Sequence, residues 1–285
     1  MTPNVAFAFA FALPLSLSLL HAALYVACIY AAVAIRPVDG GRDSPRVISR
    51  RMRGAAFATL TSLLATGFIL CRWWHSAAAL DWAAQMGLRP HAALASSVIA
   101  LVLTCILYLG PLAVDHLDGV FAWDRLRLSL TQAVRDPVCW RNYVVGPATE
   151  ELVFRSAVVP LWIAAGVSPT ACILASPLVF AVAHVHHAVA MYWNGEKWTS
   201  VVVRMLVQLA YTEVFGCYAA ALFLRTGSVA GPVVAHVVCN VMGLPDIQRI
   251  REHEYKYVLW VAHVVGLLGM VLLFEPMTRP GLFVK

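Results

Sequence analysis

Long apolar runs separated by short polar segments recur along the whole chain. A helix needs about 18 or more predominantly apolar residues to cross the hydrocarbon core of a bilayer. We predict about eight membrane-spanning helices, at about residues 5–35, 54–71, 92–114, 143–165, 168–191, 201–225, 228–245 and 257–274. The stretches 72–91 and 115–142 mix tryptophan, arginine, aspartate and apolar residues, which is typical of amphipathic segments in the membrane interface.

The composition supports the same class of protein. Of the 285 residues, 61% are hydrophobic and 13% are charged, too apolar a surface for a domain dispersed in water. No linker or charged block divides the chain, so we predict one all-α polytopic membrane bundle over residues 1–285. No basic residue precedes the first run, so we expect a retained helix rather than a signal peptide. The seven cysteines stand singly, which argues against a disulfide framework.

The formal charge of +6 comes from basic residues that cluster in a few loops. Such clusters set membrane topology and attract anionic lipids, and we expect no nucleic-acid partner. We place the loops 36–53, 115–142, 192–200 and 245–256 in the cytosol, and both termini on the opposite side. The clustered residues are Arg36, Arg42, Arg46, Arg50, Arg51, Arg53, Arg125, Arg127, Arg135, Arg141, Arg249, Arg251 and Lys256.

Polar residues on three of the predicted helices converge at one depth under this topology. With a rise of about 1.5 Å per residue, Glu150, His184, His236 and Asn240 all fall within roughly 8–14 Å of the cytosolic boundary. An ionised residue at the centre of a membrane helix costs at least roughly 2.5–3.5 kcal/mol on insertion scales. Such residues usually mark a pathway or a reaction site.

The two neighbouring glutamates cannot do the same task, because adjacent helical residues point about 100° apart. Glu151 and Arg155 are four residues apart on one face, with the acid nearer the N-terminus, so we pair them as a buried ion pair. Glu150 is then left to face a partner helix. The alternative is that both glutamates serve only to neutralise Arg155.

The histidines are also spaced three or four residues from other residues, so that they share a helix face with them. His236 shares a face with Asn240, and Phe180 shares one with His184 and, a turn further on, His187. A lone histidine in a membrane helix is more often a hydrogen bonder between helices than a catalyst. Together with a carboxylate at the same depth, however, these side chains provide a general base and oxyanion donors, which suits the hydrolysis of an acyl bond.

Other chemistries remain open at this point. The sequence has neither a His-Glu-x-x-His motif nor a Gly-x-Ser-x-Gly motif, yet Glu150, His184 and His236 could together hold zinc with a water as fourth ligand. Cys239 is a poor nucleophile candidate, because it points away from the His236 face. We interpret Glu213 as a buried acid bonded to a neighbouring helix or to Arg204. A proton-coupled transporter is a further alternative, although no inverted repeat is visible.

The three motifs resemble those of the type II CAAX prenyl endopeptidases, the Ras-converting group of the intramembrane glutamate proteases. The family pattern is Glu-Glu-x-x-x-Arg, then Phe-x-x-x-His, then His-x-x-x-Asn or Asp on successive helices. The matching residues are Glu150, Glu151, Arg155, Phe180, His184, His236 and Asn240. The similarity covers residues 100–246, including Arg141-Asn142-Tyr143 and Val214-Phe215-Gly216.

The resemblance implies an enzyme of the endoplasmic reticulum membrane whose active site opens toward the cytosol. It implies a single integral-membrane protease domain, with a catalytic core at about 143–245, that removes the aaX tripeptide from farnesylated or geranylgeranylated CAAX proteins such as Ras-type small GTPases. In the family's roles, Glu150 and His184 activate water, His236 and Asn240 form the oxyanion hole, and Glu151 with Arg155 supports the site. Phe180 is a further supporting residue. No cofactor is implied, and zinc is not excluded.

Overall fold

The computed structural model describes residues 3–35, 41–73, 81–120, 131 and 136–283, with side chains described from residue 11 onward except at residue 73. Every regular element in these ranges is helical. Arg36, Arg125, Arg127 and Arg135 of the predicted cytosolic clusters lie outside the described residues, as does much of the predicted interfacial stretch 115–142.

The helices are numbered in chain order along the described residues. They are α1 (Pro3–Ala34), α2 (Pro45–Trp73), α3 (Trp82–Gln85), α4 (Pro90–Leu107), α5 (Leu109–Leu117), α6 (137–164), α7 (Pro169–Ala183), α8 (Val185–Trp193), α9 (Trp198–Thr226), α10 (Ala230–Met242), α11 (Ile247–Glu252) and α12 (Lys256–Met277). A short 3₁₀ turn, Pro280–Leu282, follows α12.

Six helical segments of the described chain are long and apolar enough to cross a membrane. They are Phe11–Ala34, Pro45–Arg72, Trp82–Leu107, Pro169–Trp193, Trp198–Thr226 and Lys256–Met277. The prediction of a polytopic helical membrane bundle is therefore confirmed, whereas the count of eight stays a prediction. The two other predicted spans correspond to α6, which contains widened turns, and to α10, whose 13 residues rise only about 20 Å.

Two boundaries differ from the predicted ones for local reasons. Helix α2 begins at Pro45, not at residue 54, so Arg46, Arg50, Arg51 and Arg53 lie on a helix and not in a loop. Proline at the first position suits a helix start, because the missing N–H has no intrahelical acceptor there. The predicted third span is broken after Leu107 into α4 and α5, since Pro111 has no N–H to donate to the Leu107 carbonyl.

Within residues 82–88, Ala84, Met86 and Gly87 are buried, whereas Trp82 and Leu88 are exposed. Asp81 caps α3 through the Ala84 N–H, and the Met86 side chain is fully buried. Gly87 has a left-handed φ of 69°, and its carbonyl accepts a hydrogen bond from the Val229 N–H before α10. A side chain at position 87 would meet the Phe223 ring as well. This turn therefore attaches the start of α4 to the rest of the bundle.

Two apolar clusters enclose the middle of the bundle. One joins α1, α2, α6 and α7 through Tyr25, Ala55, Phe154, Val179 and Phe180, among others. The second joins α4, α9 and α10, with Leu103, Leu222 and Ala235 as fully buried members. Buried polar pairs tie α1 to α6 as well, since the Trp162 indole N–H donates to Ser18 Oγ at 2.9 Å. The polar side chains of Arg155 and His236 lie between these two clusters, against Phe180 and Phe215.

Candidate active site

Two cavities meet at Glu150 and His184. The larger has a volume of about 820 Å³ and is lined by residues of α4, α6, α9 and α10. The smaller has a volume of about 200 Å³ and is lined by residues of α1, α2 and α6 and by the end of α7. Both are also lined by Phe180 and Asn240. The structure thus brings the predicted residues of three helices to a single junction.

Two widened turns position the glutamates on α6. The segments Arg141–Val145 and Leu152–Ala157 are π-helical turns, in which an N–H bonds to the carbonyl five residues earlier, and Glu150 and Glu151 lie between them. A Cβ at Gly146 would lie 2.6 Å from the Arg141 carbonyl oxygen, so the absence of a side chain permits the first of these turns. Such turns are frequent at functional sites, because they redirect side chains without ending the helix.

Glu151 and Arg155 form the ion pair that their spacing predicts. Arg155 Nη1 donates to Glu151 Oε1 at 3.1 Å, and Nε lies 3.1 Å from Oε2. The two side chains are 0% and 1% exposed. The guanidinium also lies 4.8 Å from the centre of the Phe180 ring and 5.6 Å from that of Phe215, and Nη2 donates to the Gly216 carbonyl. A charge buried this deeply is stable only because it is paired and hydrogen-bonded.

His236 lies between the two glutamates. Its Nδ1 is 2.7 Å from Glu151 Oε1, and its Nε2 is 3.8 Å from Glu150 Oε2. Since an ionised carboxylate only accepts hydrogen bonds, Nδ1 carries the hydrogen of the short contact. Nε2 can therefore donate only when the ring is the imidazolium cation. The Phe215 ring, 4.8 Å away between centroids, packs against the imidazole.

His184 can accept a hydrogen bond through its Nε2, whereas His236 can donate one. Its Nδ1 lies 2.8 Å from the Phe180 carbonyl oxygen, which only accepts, so the hydrogen is on Nδ1 and Nε2 of the neutral ring is an acceptor. The helix is interrupted at this residue, between α7 and α8. An acceptor nitrogen in the same two cavities as the Glu150 carboxylate, which is 25% exposed, is suited to hold a water molecule.

Asn240 lines both cavities, and part of its hydrogen-bonding capacity is already used. Its Nδ2 donates to the Asn142 carbonyl at 2.9 Å, which fixes the amide beside α6. Because an amide nitrogen carries two hydrogens, the second one remains for another acceptor.

The expected partner of Glu213 is wrong. Arg204 pairs with Glu196 at 2.9 Å, whereas Glu213 accepts a hydrogen bond from the Cys217 thiol on its own helix, at 3.6 Å. Cys239 lines the larger cavity. His187 lies beside His184, with ring centroids 5.9 Å apart, and lines both cavities.

The zinc site that the sequence leaves open is not assembled in this geometry. Among the described residues, no three or more histidine, cysteine, aspartate or glutamate side chains are placed to hold a metal ion together. Glu150 and His236 approach each other, and the Nδ1 of His184 is bound to the Phe180 carbonyl, which leaves Nε2 as the His184 atom that a metal could reach.

Several residues of the site were not assigned a role from the sequence. Phe215 packs on His236 and Arg155, and Gly216 lets α9 approach closely, since a Cβ there would lie 2.4 Å from Pro177 Cβ. The Asn142 carbonyl holds Asn240. The only sequence signal for these three is their place in the stretches that resemble the protease family.

Comparison with known proteins identifies relatives over most of the chain. Residues 137–242 match the family model described as Type II CAAX prenyl endopeptidase Rce1-like. The chain is 31% identical to CAAX prenyl protease 2 of Arabidopsis thaliana over 281 residues, covering 92% of this chain and 88% of the relative. It is 32% identical to CAAX prenyl protease 2 of Homo sapiens over 275 residues, covering 92% and 80%. No solved structure matches it.

The helical bundle and these relatives together define a multi-pass membrane endopeptidase. The family that the motifs indicated is confirmed, and hydrolysis is favoured over the transporter alternative. The chain belongs to the type II CAAX prenyl endopeptidases.

Proposed function

We propose that this protein removes the aaX tripeptide from prenylated CAAX proteins, Ras-type small GTPases among them, at the endoplasmic reticulum membrane. The observation that carries the proposal is the position of Glu150 and His184 where a large cavity and a small one meet. A scissile bond at this junction would have the prenylated cysteine on one side and the tripeptide on the other. The names of the curated relatives supply the substrate class.

The larger cavity suits an isoprenoid. Its walls include aliphatic and aromatic side chains such as Leu107, Tyr211, Val214 and Phe215. Its volume of about 820 Å³ is within the range of roughly 300–1,000 Å³ usual for ligand pockets. Burial of the prenyl chain here would favour binding by the hydrophobic effect and would anchor the cysteine next to Glu150.

Hydrolysis would proceed through a water held by Glu150 and His184 Nε2. The water oxygen attacks the carbonyl carbon of the cysteine, and its proton passes to Glu150. The tetrahedral oxyanion accepts hydrogen bonds from protonated His236 Nε2 and from the second N–H of Asn240. When the C–N bond breaks, Glu150 returns the proton to the leaving amine. The products are a prenylcysteine carboxylate and a free tripeptide, and Glu151 with Arg155 holds His236 in place throughout.

The proposed orientation places both cavities within reach of the cytosol. Arg42, Arg51 and Arg141, which belong to the clusters that predict cytosolic loops, line the smaller cavity. Water and the substrate chain would therefore enter from the side on which prenylated cytosolic proteins meet the membrane. A prenyl chain would reach the larger cavity from the lipid.

Prenylation is expected to raise kcat/KM by about 100-fold or more in this protein. Transfer of about four methylene groups from water gives about 3 kcal/mol, which corresponds to about 100-fold, and a farnesyl chain is longer than that. The measurement is release of the tripeptide from farnesylated and unprenylated CAAX peptides of one sequence by the purified protein. Equal cleavage of the two peptides would refute the substrate class.

Activity is expected to survive removal of metal ions, because every proposed step uses side chains alone. The purified enzyme is dialysed against a strong chelator, and tripeptide release is compared before and after dialysis at the same protein concentration. Loss of activity that zinc restores, together with zinc bound in stoichiometric amount, would instead favour the alternative in which Glu150, His184 and His236 bind zinc.

A further inference from the structure

The smaller cavity has an excess of positive charge near the proposed reaction centre. Three arginines, Arg42, Arg51 and Arg141, line it, and the acidic residue in the same wall is Glu150. Three histidines, His184, His186 and His187, also line the wall, and a neutral histidine adds no charge to it. A cavity with this lining is suited to an anionic group.

Arg141 is already committed to neighbouring groups. Its Nη1 lies 2.7 Å from Asp43 Oδ1, and its Nε donates to Asn142 Oδ1 at 2.9 Å. The hydrogen bond from Arg141 holds the pKa of the Asp43 carboxyl below its usual value, so this ion pair persists at neutral pH. Arg141 therefore connects the loop before α2 to the start of α6. Because these donors already have acceptors, Arg141 is less suited than Arg51 to bind a ligand.

Arg50 and Arg51 each have a buried donor without an acceptor among the described residues, and of these two Arg51 lines the smaller cavity. Its side chain is half-buried, and Nε is buried with no hydrogen-bond partner among the described residues. The guanidinium carbon lies 5.2 Å from the centre of the Tyr30 ring, which restricts its orientation. A buried donor without an acceptor is unfavourable, and a guanidinium is planar and matches a carboxylate with two parallel hydrogen bonds.

We propose that Arg51, assisted by Arg42, binds the free α-carboxylate at the C-terminus of the substrate. The inference rests on the proposed function, because the leaving tripeptide would then occupy the smaller cavity. Three extended residues span about 10 Å, so this proposal requires a carboxylate bound at Arg51 to lie about that far from the peptide bond at Glu150, in the cavity that both residues line. We call this arrangement of Arg51 and Arg42 the clamp. It would fix the cleavage site three residues from the C-terminus of the substrate, and it would explain why a tripeptide, and not a longer fragment, is released.

The position of Arg51 favours a substrate carboxylate over a lipid phosphate. Arg51 lines the same cavity as Glu150 and His184, whereas Arg53, two residues along α2, is exposed and lines neither cavity. An arginine that binds headgroups would be expected on the outward face of the helix. Arg53 therefore provides a matched control for a general effect of positive charge near the membrane surface.

The test compares two farnesylated CAAX peptides that differ only at the terminus, one a free carboxylate and the other a carboxamide. The wild-type protein is expected to cleave the carboxylate with a kcat/KM about 10- to 100-fold higher, mainly through a lower KM, as for hydrogen bonds to a charged group. Arg51→Gln should reduce this preference to less than about threefold by slowing the carboxylate peptide. Arg51→Lys should restore part of it, and Arg53→Gln should leave it as in the wild type.

Each other outcome overturns the clamp. Equal cleavage of the two peptides by the wild type shows that the terminal charge is not recognised. An equal loss on both peptides in Arg51→Gln indicates a structural or lipid-binding role for this arginine. A preference reduced as much by Arg53→Gln indicates general surface charge. Failure of the wild type to cleave either farnesylated peptide would instead contradict the proposed function itself.

Discussion

Replacement of Glu150 by glutamine is expected to lower kcat/KM for a farnesylated CAAX peptide by about 10²- to 10⁴-fold, the range that loss of a general base produces. The amide keeps the size of the side chain and one acceptor oxygen, but it cannot take the proton of the attacking water. The loss should fall mainly on kcat, since the prenyl chain would be bound elsewhere, by the larger cavity. The measurement is tripeptide release by the purified variant, with folding checked by thermal unfolding.

Glu213→Gln is the matched control for this substitution. Glu213 is also a partly buried glutamate within a membrane helix, yet it lines neither cavity. We expect it to retain activity within severalfold of the wild type. A folded Glu150→Gln protein with normal activity would exclude Glu150 as the base, and His184 would then be the next residue to test.

Arg155→Met is expected to destabilise the protein by about 3–5 kcal/mol, as removal of one partner of a buried ion pair does. Methionine fills much of the space of the arginine stem, but it leaves the fully buried Glu151 without its cation. The effect is measured as the unfolding free energy of the protein in detergent, where the folded fraction is followed by helix content. Tripeptide release should fall in parallel.

The double variant Glu151→Gln with Arg155→Met separates charge from packing. It removes both members of the pair, so it should recover about half or more of the lost stability. It should not recover activity, because an amide oxygen replaces the charged oxygen that accepts the hydrogen bond from His236 Nδ1. Recovery of both stability and activity would contradict the role of Glu151 in orienting His236, and recovery of neither would indicate that packing around Phe180 and Phe215 dominates.

Much of the fold was predictable because each long apolar run has few ways to satisfy its backbone in lipid other than as a helix. The convergence of Glu150, His184 and His236 followed from counting residues along such helices. Their detailed contacts did not follow. A helical wheel assumes an even 100° per residue, and the π-helical turns on both sides of the glutamates change that angle.

The contacts of His236 were less accessible to sequence reasoning. Spacing identifies partners within one helix, such as Glu151 and Arg155, whereas the His236–Glu151 contact joins residues 85 positions apart on different helices. It depends on how closely α10 approaches α6, which is a matter of packing. The interruption of the helix at His184 could not be predicted from the sequence, because no proline or glycine lies at the break. The nearest proline, Pro177, lies in the preceding turns. In the sequence, Arg51 is one of the clustered arginines that indicate membrane topology, and nothing there points to the clamp.

The buried charges of α6 affect how this protein is made. Translation produces Glu150, Glu151 and Arg155 before the groups that later surround them exist. The Gly216 carbonyl and the His236 imidazole, which complete that environment, are supplied by α9 and α10. Burial of such charges without their partners is unfavourable. The burial of these residues is therefore thermodynamically tied to helices translated after α6, and truncated chains that end before α10 should be recognised as incompletely assembled.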